Sequence, residues 1–195
     1  MARSRKLEPE LAIQATQTLF WEHGFAGLGT RQIEEETGLT RFTLQTSYGG
    51  KKQLFLQTID AYLNRMETSF LPDASGGSLE ELATWFEARA DPAMMAEIAC
   101  HGCLMLNSMI EFHGKDPDVN QRAERYFSML RGRFSDLLKT AKSNGVLSSQ
   151  FEVDATTEIL LGISLSMNVV IRAFGDNVAG QPLAEAAANM IRKFG

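Results

Sequence analysis

Apolar residues recur three and four positions apart along almost the whole chain, and no stretch alternates apolar with polar as a half-buried strand does. The pattern predicts an all-α protein of about nine helices. The first starts near Pro9, where a missing N–H is harmless, and sets Leu11, Ala12, Ala15, Leu19 and Phe20 on one face before stopping at Gly24. A short second helix runs from Thr30 to Thr37 and ends at Gly38. A third follows the N-cap Thr40, carries Arg41 to Ser47, and is broken by Gly49 and Gly50. The fourth begins at Lys51 and turns Leu54, Phe55, Thr58, Ile59, Tyr62, Leu63 and Met66 inward.

The stretch from Pro72 to Ser78 reads as a loop, and Ser78 with Glu81 forms a capping box for a helix bearing Leu79, Leu82, Ala83, Phe86 and Ala90. Asp91-Pro92 ends it, and Ala93 to Phe112 is helical but irregular. The strongest amphipathic pattern follows Asp116-Pro117: Val119, Ala123, Tyr126, Phe127, Leu130, Phe134, Leu137, Leu138 and Ala141, closed by Asn144-Gly145. Two further helices are expected over 153–175 and 181–194. The first of these is apolar nearly all round, yet interrupted by Gly162, Ser164, Ser166, Asn168 and Arg172. That suits a core helix rather than a membrane span.

Composition changes this picture little. The 195 residues are 44% hydrophobic and 22% charged, ordinary for a globular chain, and two cysteines are too few for a disulfide framework, which points to a reducing cytoplasm. No signal peptide pattern opens the chain. Charge is more informative. The total is −5, but residues 1–65 hold eight Lys/Arg against seven Asp/Glu, so the acidity lies in the remainder. The basic residues at the front (Arg3, Arg5, Lys6, Arg31, Arg41, Lys51, Lys52, Arg65) stand in separate clusters, too sparse for histone-like binding of any nucleic acid.

Two short helices joined by Gly38-Leu39-Thr40 have helix-turn-helix proportions, with Gly38 able to take the positive φ of the turn and Ile33, Leu39 and Leu44 packing the pair together. Arg41, Phe42, Thr43, Gln45, Thr46 and Ser47 are then left to the outer face of the second helix. Such a helix enters a major groove, where glutamine reads adenine and arginine reads guanine through paired hydrogen bonds. The helix starts at Thr30 and Lys51 favour phosphate.

The segments Phe20-Trp-Glu-His-Gly-Phe25, Gly29-Thr-Arg-Gln-Ile33, Thr37-Gly-Leu-Thr40, Thr43-Leu44, Tyr48-Gly-Gly-Lys51 and Leu54-Phe55, in this order and spacing, resemble the N-terminal domain of the TetR/AcrR family of one-component regulators over about Leu11 to Tyr62. The stretch from Gly102 to Glu111 is similar to part of the ligand domain in one AcrR-like branch. The resemblance implies that Thr30 and Arg31 touch the DNA backbone or its edge, that Arg41, Thr43, Gln45, Thr46 and Ser47 lie on the recognition helix, and that Lys51 holds a phosphate. The family usually has a small residue or proline in place of Phe42, and aromatic residues in place of Gln45 and Ser47, so a distinct operator sequence is expected. The resemblance further implies a DNA-binding domain over 1–52, a ligand-binding and dimerisation domain over 53–195, and a cytoplasmic homodimer on palindromic double-stranded operator DNA. An apolar small-molecule effector would regulate it. Phe42 could touch a thymine methyl or pack on Leu54 or Phe55.

Trp85, Phe86, Met94, Met95, Met105, Met109, Phe112, Met129, Phe134 and Met167 are numerous for a domain of this size, and adaptable methionines suit a variable apolar ligand. The expected pocket set is Phe86, Cys103, Met105, Met109, Phe112, Tyr126, Met129 and Met167, although the same side chains could simply fill a core. Two rival readings stand beside the regulator: a helical thiol enzyme using Cys100 and Cys103, and a DNA-binding protein with no effector. Cys100-His101-Gly102-Cys103 lacks the βαβ setting of redox dithiols and a second ligand pair for zinc. His23, His101 and His113 join no recognisable nucleophile motif, and no Gly-rich phosphate loop is present. No catalytic residue, metal or cofactor is expected.

Overall fold

The computed structural model describes residues 9–91, 93 and 100–195. Arg3, Arg5, Lys6, Pro92, Met94 and Met95 of the sequence reading lie outside the described residues. The described residues form nine α-helices and no strand: α1 (Pro9–Gly27), α2 (Thr30–Thr37), α3 (Arg41–Tyr48), α4 (Lys51–Arg65), α5 (Leu79–Arg89), α6 (Leu104–Phe112), α7 (Pro117–Ser143), α8 (Val153–Phe174) and α9 (Gln181–Ile191). A π-helical turn, Met66–Phe70, continues α4, and a 3-10 turn, Asn177–Gly180, precedes α9.

Two compact units emerge, and neither is a continuous stretch of chain. The first comprises the residues up to Met66 together with Leu104–Ala123; the second comprises Glu67–Cys103 and Glu124–Gly195. Unit 1 therefore holds α1 to α4, α6 and the first turns of α7. Within it α1 is interrupted at Gly24, whose φ of 73° and ψ of 175° are not helical, so the long helix stops where the glycine predicts and one further turn follows. The buried face of α1 is Ala12, Thr16, Gln17 and Phe20, whereas Leu11, expected inside, is exposed. Leu28, Ile33, Leu44, Leu54, Phe55, Ile59 and Leu63 complete a core in which four rings meet. Phe55 lies 4.9 Å from Phe20, 5.1 Å from Phe25 and 5.6 Å from Phe112, centroid to centroid. Phe20 and Phe55 are fully buried, and each contributes about 1.5–3 kcal/mol.

In unit 2, α5 packs on α9, and Arg192 just beyond α9 grips Glu80 and Glu87 of α5 at 2.6 Å each. The core is formed by Leu82, Phe86, Tyr126, Leu130, Phe134, Leu138, Leu160 and Met167. By length and composition α8 could cross a membrane, but Thr157, Leu160, Leu161, Ser164, Met167, Asn168 and Ile171 are buried within the fold. Its opposite face leaves Ala155, Ile159, Gly162, Ser166, Val169 and Ala173 exposed at alternating spacings of four and three. The α9 helix ends at Ile191 rather than at 194; Ala184, Ala187, Ala188 and Ile191 are buried in the chain's own core, whereas Leu183 and Met190 are half-buried and Ala186 is exposed. Small residues permit close helix approach, and here α5 takes that space.

Candidate nucleic-acid interface

The turn between α2 and α3 is built as its residues dictate. Gly38 adopts the left-handed conformation (φ 71°, ψ 5°), and its N–H donates to the Glu34 carbonyl, closing α2. Thr37 Oγ1 donates to the Ile33 carbonyl at 2.6 Å and accepts from Leu39 N–H at 3.2 Å, so the side chain ties the turn to the helix before it. Thr40 caps α3 by accepting from Thr43 N–H at 3.1 Å. Ile33, Leu39 and Leu44 are buried between the two helices, as their spacing requires.

That packing turns the remaining α3 side chains outward. Arg41, Phe42, Gln45, Thr46 and Ser47 are exposed and Thr43 half-buried. Phe42 is 77% exposed, while Leu54 and Phe55 are buried in the aromatic core, so Phe42 faces solvent rather than those residues. The hydroxyls of Thr43 and Thr46 are engaged locally, with Thr40 Oγ1 and with the Phe42 carbonyl. Among the described residues, nothing in the chain hydrogen-bonds the side chains of Arg41, Gln45 or Ser47. Three donor-bearing side chains on one short exposed helix, uncommitted within the chain, match what base-edge readout demands.

The flanking helix starts differ from that of α3. Neither α2 nor α4 has a side-chain cap: Gly29 and Gly50 precede them, leaving first-turn N–H groups open to an anion. Thr30 is half-buried at the first position of α2. Arg31 points into solvent, paired with Glu35 at 2.8 Å one helical turn on. Lys51 is less free than the sequence suggests. Its ammonium lies 4.4 Å from the centroid of the Phe25 ring. Burial lowers its pKa, and the nearby Glu111 carboxylate partly offsets that.

Glu111, near the end of α6, was not singled out by sequence reasoning. Its Oε2 accepts from Phe25 N–H at 2.9 Å and its Oε1 from Ala26 N–H at 2.6 Å, the two amides freed by the break at Gly24. A Cβ at Gly24 would stand 3.0 Å from that carboxylate. Lys52 is held by two further acids, Asp116 at 2.7 Å and Asp118 at 3.0 Å, and Arg122 of α7 bonds Asp60 of α4 at 2.6 Å. No local sequence signal announces these pairs, since their partners lie some sixty residues apart.

The expected pocket residues divide between the units. Phe86, Cys103, Tyr126 and Met167 are buried in unit 2, and Met129 is half-buried there. Met105, Met109 and Phe112 belong to α6 in unit 1, where Phe112 stacks on Phe55. Unit 2 also buries polar groups that the apolar pattern did not bring forward. Arg89 is 7% exposed, lies over the Trp85 ring at 4.6 Å, and donates to Ser164 Oγ at 2.7 Å. Burial, with the Cys103 thiol beside it, raises the Tyr126 pKa well above the ordinary phenol value. Cys103 owes its place to Gly102 (φ +71°), where a Cβ would come within 2.5 Å of the Asn168 carbonyl. Neither Cys100 nor Cys103 is in a disulfide among the described residues.

Residues 12–58 match the family model described as bacterial regulatory proteins, tetR family. Residues 79–187 match that of the tetracyclin repressor-like C-terminal domain. The uncharacterized HTH-type transcriptional regulator YezE of Bacillus subtilis (strain 168) is 25% identical over 179 residues, covering 90% of this chain and 92% of YezE. The HTH-type transcriptional repressor ComR of Escherichia coli (strain K12) is 21% identical over 180 residues, covering 87% and 82%. A cysteine mutant of the TetR family transcriptional regulator CifR, complexed with 26 bp double-strand operator DNA, shares the fold with a TM-score of 0.80 at 14% identity, covering 100% of both chains. The C-terminal match alone spans more than half of the chain and follows a helix-turn-helix assembled as above: the chain belongs to the TetR family of bacterial transcriptional regulators.

Proposed function

We propose that the chain is a cytoplasmic repressor that binds a palindromic operator as a homodimer and releases it when a small molecule binds its second domain. The observation that carries the reading is the outer face of α3, where Arg41, Gln45 and Ser47 are exposed and uncommitted beside the exposed Phe42. In this reading residues 1–52 read DNA. Arg41, Phe42, Thr43, Gln45, Thr46 and Ser47 meet base edges or the groove wall, and Thr30, Arg31 and Lys51 meet the phosphate backbone. A relative that is a repressor and a fold neighbour bound to operator DNA support it.

Residues 53–195 carry dimerisation and effector binding. The apolar and small stripe of α8, Ala155, Ile159, Gly162, Ser166, Val169 and Ala173, suits a symmetric helix-on-helix interface. Two-fold symmetry would then set the α3 helices of the two subunits about 34–36 Å apart, or a multiple of that distance. Phe86, Tyr126, Met129 and Met167 supply apolar surface for an effector, with Cys103 and Arg89 among them offering polar contacts. The thiols are assigned no catalytic role.

A gel shift with the DNA upstream of the chain's own gene tests this reading. A discrete complex of two chains per palindrome is expected, and no shift at micromolar protein would sink it. For the effector, operator and ligand must weaken each other's binding by one common factor, about 5- to 150-fold for a coupling of 1–3 kcal/mol. Calorimetry with and without operator measures that factor, and a ligand bound equally well in both titrations is not the inducer.

A further inference from the structure

We propose that Asp116 and Asp118 act as an intramolecular competitor for DNA phosphate, holding the Lys52 ammonium that would otherwise meet the backbone beside Lys51. The inference rests on the reading of the α4 start as a phosphate contact. Lys51 and Lys52 open α4 directly after the Gly49-Gly50 link from α3, so both sit where a phosphate bound at the start of α4 would be. Yet each faces carboxylates of the α6–α7 segment: Lys51 feels Glu111, and Lys52 is bonded to Asp116 and Asp118.

The acids are aimed rather than incidental. Asp116 Oδ1 accepts from Asp118 N–H at 3.0 Å and from Val119 N–H at 3.3 Å, capping α7 and fixing the carboxylate so that Oδ2 points at Lys52. The Arg122–Asp60 pair pins the same end of α7 to α4. Two negative charges on one ammonium leave the trio at −1, so the start of α4 offers a phosphate one lysine where the sequence shows two. Both carboxylates lie within 3.0 Å of the Lys52 ammonium, well inside a Debye length of about 8 Å, so they also oppose a phosphate approaching it. The Lys52 side chain is 40% exposed and that of Asp118 51% exposed, so the contact is open to exchange with an incoming anion.

The test is a double-mutant cycle read by salt titration of operator and random-duplex binding with the full-length chain. The variants are K52Q, D116N/D118N and the triple combination. Asn is as good an N-cap as Asp, so D116N keeps the cap of α7. D116N/D118N is expected to tighten binding to both duplexes several-fold and to steepen the salt slope by about one unit, the signature of one more phosphate neutralised. K52Q should reduce the slope much more in the D116N/D118N background than in the wild type. Equal effects of K52Q in both backgrounds would overturn the proposal, because a general loss of negative charge would then explain any tightening. If the double variant does not fold, D118N alone, whose carboxylate caps nothing, should give a smaller gain that K52Q likewise cancels; a gain that K52Q leaves intact would overturn the proposal. A wild-type chain that binds no duplex would overturn the DNA-binding reading together with this one, whereas binding with unchanged slopes would overturn this one alone.

Discussion

The outer face of α3 and the core of unit 2 make opposite use of polar side chains. On α3, Arg41, Gln45 and Ser47 are exposed, and no described residue hydrogen-bonds their side chains, on a helix only eight residues long. In unit 2, Arg89, Ser164 and Tyr126 are buried, and Arg89 and Ser164 are bonded to each other. A polar group left exposed costs nothing and stays available to a partner, whereas a buried one must be satisfied at once or lose about 1–3 kcal/mol. Recognition of a large external surface is therefore placed on the first kind, and the specificity of an enclosed core on the second.

Substitutions should separate the two regimes by size and by observable. The largest effect is expected from Phe55→Ala, which removes the ring shared by Phe20, Phe25 and Phe112 beneath the reading helix. A loss of about 3–5 kcal/mol in chemical denaturation should follow, and operator binding should fall with it. A loss below about 1 kcal/mol would mean that the aromatic cluster is not the support of α3 and α4.

Gln45→Ala should do the reverse, leaving stability unchanged while degrading sequence preference by about 1–3 kcal/mol at one position in each half-site. Selection of preferred sites from a random library checks this; an unaltered motif would assign Gln45 to solvent.

Lys51→Ala is intermediate, because Lys51 serves both regimes. The salt slope for operator and random DNA alike should fall by about one unit. Melting temperature should also fall, since the ammonium leaves the Phe25 ring. A slope that does not move would leave Lys51 as packing alone.

The smallest effect is expected at the exposed clamp of Arg192 on Glu80 and Glu87. Hydrogen bonds from Arg192 hold both carboxyls below their ordinary value of 4.5. With folded-state values depressed, the stabilisation is fully present above the ordinary carboxylate range and is lost as pH falls through the lower folded values. Arg192→Met should therefore lower the melting temperature slightly at neutral pH and hardly at all in strong acid. An equal loss at both would show that the side chain acts through packing, not charge.

The helix-turn-helix was legible in the sequence because everything that makes it is local. Gly38 needs only its own φ, Thr40 caps an amide three residues on, and the spacing of Ile33, Leu39 and Leu44 decides which α3 side chains face outward. The all-α class and most helix ends were legible for the same reason, since periodicity and glycine stops act within a few residues. Tertiary packing decided the rest. Phe42 could have turned toward Leu54 or Phe55, and faces solvent, while Phe55 packs on Phe20, Phe25 and Phe112. Ala184, Ala187 and Ala188 of α9 are buried in the core that α9 shares with α5, while Ala186 is exposed. The carboxylates at Lys51 and Lys52 come from the α6–α7 segment, about sixty residues away, and a charge carries no mark in sequence of the distant charge it will meet. Local conformation is set by each residue's own sterics and its nearest hydrogen bonds, while partnership across the fold depends on which surfaces pack together, and only the folded chain settles that.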